Sequence, residues 1–196
     1  MTNRGLAAAV VVLALLAGAC GRTAGMQAVP QITVAPPGPG EAVVVFMRPS
    51  NVGEMYSTSV FELRSDGDRF VGILRGQTRS VHRMSPGRTR FMLVVAGGWD
   101  HYMDADLAGG KTYYAAIGYD RIGDRSGYVL RPVRLADQEG AEFKACMSSC
   151  TWVENTEKSE AWGRNHLREL PRRKAQTLAS WEALSSRPML TAADGR

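Results

Sequence analysis

Cysteine and histidine are scarce here, three of each in 196 residues. That excludes a disulfide-dense scaffold. No long apolar run is present: the stretch Leu6 to Leu16 ends after about 11 residues, where a membrane-spanning helix needs about 20. No internal repeat is visible, and Gly-x-Ser-x-Gly, His-Glu-x-x-His and phosphate-loop patterns are all missing. His82 and His166 have no Ser, Cys or acidic neighbour at a telling spacing, and His101 falls on the apolar side of a strand. These absences argue against an enzyme, and no cofactor or metal is expected. The hydrophobic share, 44%, is too high for a disordered chain and too low for a protein with many membrane spans. The size suits one compact domain with tails.

What is present begins at the N-terminus. Arg4 gives a short positive start, Leu6 to Leu16 an apolar core, and Ala17-Gly18-Ala19 small residues followed directly by Cys20. Basic start, short apolar stretch and small residues are the parts of a secretory signal. The added cysteine makes Leu16-Ala17-Gly18-Ala19-Cys20 resemble the bacterial lipobox, with Leu four places before the Cys where three is commonest. The resemblance implies cleavage before Cys20, a diacylglycerol on its thiol and acylation of the new amine. The alternative is an ordinary signal peptide that happens to hold a cysteine. Each buried methylene contributes about 0.8 kcal/mol, so two or more chains anchor stably. Gly21 follows the cysteine in place of the Asp typical of inner-membrane lipoproteins, so the expected address is the cell envelope, on the outer membrane facing the periplasm. Removal of residues 1–19 takes Arg4 with it and lowers the formal charge from +5 to +4. That mild charge, in an exported protein, excludes nucleic acid as the expected partner.

Four segments follow from composition: a signal peptide at 1–19, a lipidated N-terminus and linker at 20–40, a β-domain at 41–135 and a helical extension at 136–196. Gly21 to Gly40 holds four prolines and four glycines and reads as an extended spacer. Residues 41–135 read as about eight short strands with no helical stretch between them, hence a mainly β fold, an antiparallel β-sandwich or small barrel. Ala42 to Met47 is apolar throughout, as in a central strand buried on both faces. The loop Ala96-Gly97-Gly98 pairs Val95 with Trp99, Leu93 with His101 and Phe91 with Met103, and sets Arg90 against Asp104 and Arg88 against Asp106. The turn at Gly109-Gly110 continues the meander, pairing Ala105 with Tyr114 and Met103 with Ala116. In the extension, Asn155 caps a helix to about Leu170, Pro171 breaks it, and a second helix runs from about Arg172 to Leu184. The tail from Arg187 reads as frayed.

Three groups are candidates for chemistry. Cys146 and Cys150 are an even pair in an oxidising compartment, which favours a local disulfide in a turn, since an ideal helix would hold their α-carbons about 6 Å apart. A redox or metal role is the alternative. Asp100, Asp104 and Asp106 share a strand face, but arginines oppose the last two, which favours ion pairs over a cation site. The cluster Arg164, Arg168, Arg172, Arg173 and Lys174, opposed by Glu169 and flanked by Trp162 and Trp181, is a candidate contact for anionic head groups or an envelope polyanion. Its alternative is a solvated helix face.

The stretches Val43-Val44-Val45-Phe46-Met47-Arg48-Pro49-Ser50, Ser85-Pro86-Gly87-Arg88-Thr89-Arg90-Phe91, Leu107-Ala108-Gly109-Gly110-Lys111-Thr112-Tyr113-Tyr114 and Leu130-Arg131-Pro132-Val133 resemble a family of bacterial lipoprotein domains of unknown function. The Pro-Gly before a strand is also similar to PEGA-type envelope modules. The resemblance implies a β-sandwich on a lipid anchor and covers about half the chain; the expected role is binding or scaffolding in the envelope, with another envelope protein or a polyanion as candidate partner. An envelope enzyme or thiol-redox protein using Cys146, Cys150 or a histidine is the competing expectation.

Overall fold

The computed structural model describes residues 25–122 and 125–196. The chain is mainly β, with two sheets packed face to face and helices on both outer sides. The strands are β1 (Gln27–Val29), β2 (Ala42–Arg48), β3 (Thr58–Leu63), β4 (Arg69–Leu74), β5 (Thr78–Met84), β6 (Gly87–Val95), β7 (His101–Leu107), β8 (Lys111–Ile122), β9 (Arg125–Val133), β10 (Thr151–Glu154) and β11 (Met189–Leu190). The helices are α1 (Ala141–Ser149), α2 (Glu157–Leu167) and α3 (Leu170–Glu182). One sheet runs β1-β10-β5-β2-β8-β9 and the other β11-β7-β6-β3-β4.

The expected antiparallel sandwich of eight strands needs correction on two counts. Eleven strands occur among the described residues, and both sheets are mixed. β2 lies parallel to β8, β10 to β5, and β11 to β7. The turn at Gly109-Gly110 does not continue the meander either. β7 takes β6 and β11 as neighbours, while β8 crosses to the other sheet between β2 and β9. The physical reason is burial. Tyr113, Ala115 and Ile117 of β8 enter the core between the sheets while Tyr114 is buried on the opposite face, and the slot beside β2 covers both.

Alternation decides the rest of the packing. Val44 and Phe46 of β2 face the second sheet, where the Phe46 and Phe91 rings meet edge to face at 5.0 Å. Val43, Val45 and Met47 point the other way, beneath Phe143 and Cys146 of α1 and Trp152 of β10. β2 is thus buried on both faces, as its unbroken apolar run implies. On the far side Phe61, Met92 and Tyr102 are covered by Leu170 and Trp181 of α3. The β6–β7 register is the one the alternating residues require, from Arg88 opposite Asp106 to Leu93 opposite His101.

Residues outside the β-rich stretch complete these layers. Residues 27–29, within the Pro/Gly-rich segment, pair with β10, and Val29, Ile32 and Val34 pack against the cluster under α1. The segment is therefore seated on the body from Met26 onward. α2 begins at Thr156, not Asn155, in a reciprocal cap with Ser159. α3 includes Pro171 in its first turn, where a missing N–H costs nothing. The tail is ordered: Arg196 exchanges backbone hydrogen bonds with Thr112, and buried Asp194 accepts from Arg134.

Candidate functional site

Cys20 lies outside the described residues. The chain enters the structure at Gly25, whose carbonyl accepts a hydrogen bond from the Thr156 hydroxyl at the start of α2. The side chain of Met26 is then buried near Gly72 of β4.

Cys146 and Cys150 stand at bonding distance, with α-carbons 4.7 Å apart. Cys146 sits in α1 and Cys150 immediately follows its last turn, so a helix end replaces the expected turn. At that point the chain leaves helical geometry, which brings the α-carbons closer than an unbroken helix would. Both residues are buried, at 2% and 5% exposure. Next to them Arg79, fully buried, donates to the Met147 carbonyl at 2.7 Å and lies 4.1 Å over the Trp152 ring. Burial lowers its pKa. Its charge meets the negative end of α1 in place of a carboxylate.

The basic cluster divides in two. Arg173 binds both oxygens of Asp100, at 2.8 and 3.0 Å, and Lys174 binds Asp68 at 2.7 Å. Arg164, Arg168 and Arg172 are exposed and without an ion-pair partner among the described residues. The three aspartates of the β7 strand region are each committed to an arginine: Asp100 to Arg173, Asp104 to Arg90 and Asp106 to Arg88. Among the described residues no group of three or more His, Cys, Asp and Glu gathers in a form that could hold a metal ion.

The histidines are partnered within the fold. His101 is buried, its Nδ1 accepts from the Leu130 N–H at 3.2 Å, and Trp181 packs on it edge to face. Burial pushes its pKa down to about 4. His166 bonds the Trp162 carbonyl at 2.8 Å. His82 does have an acidic neighbour, which its sequence surroundings conceal: its Nε2 lies 2.9 Å from Oε2 of fully buried Glu62. Burial alone pushes the Glu62 carboxyl up, but hydrogen bonds from His82 and Arg64 outweigh it and hold the group below the ordinary value. The two residues are 20 apart in sequence and meet because β3 and β5 lie in facing sheets.

Two surface features were not legible beforehand. At the end of the fold where β6 begins, a cleft of about 700 Å³ is lined by Arg64, Arg88, Arg90, Lys174, Arg187 and Asp104. Its cations are paired with Glu62, Asp66, Asp106, Glu182 and Asp68, so it presents both signs of charge. At the other end, fully buried Arg48 clamps the loop after β2. It donates to the carbonyls of Tyr56 (2.7 Å), Gly53 (3.0 Å) and Val52 (3.2 Å) and to the Tyr128 hydroxyl (2.8 Å). With the Leu74 carbonyl at 3.4 Å it has five acceptors, four of them backbone carbonyls, which leaves no side-chain pattern to read.

No protein-family model and no curated protein matches this chain.

Proposed function

We propose that this protein is a lipid-anchored component of the cell envelope, a binding or scaffolding body without catalysis, held through Cys20 at the outer membrane and facing the periplasm. The observation that carries the proposal is Leu16-Ala17-Gly18-Ala19-Cys20 behind a short apolar run. The body fits that role. The two-signed cleft suits a polar face of another envelope protein, and Arg164, Arg168 and Arg172 are free to meet an envelope polyanion. The PEGA-like likeness belongs to this reading as well, with the body's sheets as its scaffold.

The competing thiol-redox reading asks an incoming thiolate to reach Cys146 or Cys150, both buried at the end of α1. A staple is the better fit, and the buried Glu62 carboxyl is taken up by hydrogen bonds with Arg64 and His82. Fractionation tests the proposal: wild-type protein should sediment with membranes and stay there after a high-salt wash, while Cys20→Ser protein should not acquire the mature mobility. Thiol counting separates the staple from a redox pair. A bond that persists under mild reductant supports the staple, and a pair that cycles contradicts it.

A further inference from the structure

Beyond the pair Arg79–Trp152, β5 and β10 separate. Their parallel ladder holds only Thr78 and Arg79 against Thr151 and Trp152. β5 goes on beside β2 as far as Met84. β10 goes on beside β1, and Asn155, one residue past its end, donates to the Val71 carbonyl of β4 in the other sheet at 2.9 Å. Two strands that diverge from a shared start leave a wedge between them, and a cavity of about 380 Å³ occupies this one. Ser80 and Val81 of β5 line one side of it, Val153 and Asn155 the other. Its wall is aliphatic, made by Met26, Ile32, Val34, Val71, Val81 and Val153, and no aromatic ring is among the described lining residues. Exposed Thr33, Arg83 and Glu154 lie at its margin, where Arg83 is taken up by Glu41 at 2.6 Å and by the Ala35 carbonyl at 3.1 Å. The Asn155 side chain is committed too, its nitrogen to Val71 and its oxygen to the Ser159 hydroxyl. Ser80 is the exception. It is 4% exposed, and its hydroxyl has no hydrogen-bond partner among the described residues. That hydroxyl, the Asn155 oxygen and the methyl end of Met26 converge on the face of Gly72.

We propose that this cavity is a binding site for an uncharged aliphatic molecule carrying a hydroxyl or ester oxygen, with that oxygen on Ser80. Each part of that class has an observation behind it. Branched aliphatic and Met side chains suit a saturated chain, and a sugar or a nucleobase would find no ring to stack on. An anion would lose its water with no unpaired cation among the described lining residues to replace it. A buried hydroxyl without a partner costs free energy, and a ligand oxygen recovers it. The volume falls within the roughly 300–1,000 Å³ of small-molecule sites. Access to Ser80 asks the end of Met26 to turn, which an unbranched thioether does readily. The inference stands on the cavity and does not depend on the anchor at Cys20.

Cys20→Ser protein provides the test, since it carries no acyl chain that could compete, whether or not the native chain is lipidated. It is titrated with 1-octanol and, separately, with octanoate at pH 7.5, and carbon–proton NMR of the methyl groups is the readout. The expected result is a saturable shift of the Ile32, Val34, Val71, Val81 and Val153 methyl signals with octanol, and binding of octanoate weaker by about tenfold or more. Ser80→Ala should weaken octanol binding about fivefold. Without ligand, the same substitution should leave the melting temperature undiminished, because it removes a hydroxyl that has no partner. Octanol that leaves these methyls unmoved up to its solubility limit overturns the site, and so do shifts centred elsewhere. Octanoate that binds as well as octanol overturns the uncharged class, on protein whose cavity is unaltered. Octanol binding that Ser80→Ala does not change, or a fall in its ligand-free melting temperature, overturns the role of the hydroxyl.

Discussion

His101 stores a pH dependence in one side chain. Its Nδ1 accepts from the Leu130 N–H, which a protonated ring cannot do, and among the described residues the ring has no acidic partner to offset a charge. In the unfolded chain it protonates near pH 6.5, and in the fold only near pH 4. Protons therefore bind the unfolded state first as pH falls, and stability drops across that window, by about 2 kcal/mol at pH 5. Urea titrations at pH 7.5 and pH 5 should show this loss in wild type and a much smaller one in His101→Gln. An equal loss in both would contradict it. Arg79 and Arg48 illustrate a different use of burial. Among the described residues neither shows an ion-pair partner, and each donates to backbone carbonyls, one at a helix end and one in a loop. Nothing in a sequence pattern marks such an arginine, because its partners are main-chain atoms shared by every residue type.

At the scale of elements, α2 is held by a requirement that reverses a common rule. Alanine normally exceeds glycine by about 1 kcal/mol inside a helix. A β-carbon at Gly163, however, would lie 2.4 Å from the ring of Phe70 on β4. Gly163→Ala should therefore destabilise, by about 1–3 kcal/mol, through displaced packing. Thermal melting of the pure variant decides the sign, and a gain in stability would refute the close approach. The Cys146–Cys150 link ties the last turn of α1 to the residue that follows it, and Cys146→Ala/Cys150→Ala should cost about 2 kcal/mol in the same assay without loss of the fold. Element legibility was uneven for physical reasons. The β6–β7 hairpin was readable to the residue because a one-place slip would set Phe91 and Leu93 against charge. The parallel pairs were not, since β2–β8 and β7–β11 join segments far apart in sequence with no turn to specify them. β1 was hidden by its prolines and glycines, which speak for a linker until the edge of β10 supplies hydrogen-bond partners.

At the scale of the molecule, the segments on either side of the β-rich stretch close the fold. α1 covers one sheet, α2 and α3 the other, and β10 and β11 extend both. Nine strands before α1 thus depend on the last third of the chain for their outer faces. The candidate binding places then fall in different parts of the body, the aliphatic cavity where β5 and β10 separate and the two-signed cleft where β6 begins. In the sequence only the address at Cys20 was legible, because side chains from β4, β5, β6 and β10 converge through folding and not through spacing. Acyl chains at the Cys20 sulfur are the central proposal, and measuring ester-, thioether- and amide-linked lipid on purified protein reads them most directly. Wild-type protein should begin at Cys20 and release fatty acids on hydrolysis, and Cys20→Ser protein should release none. Native protein that begins at another residue, or that yields no fatty acid, would contradict it.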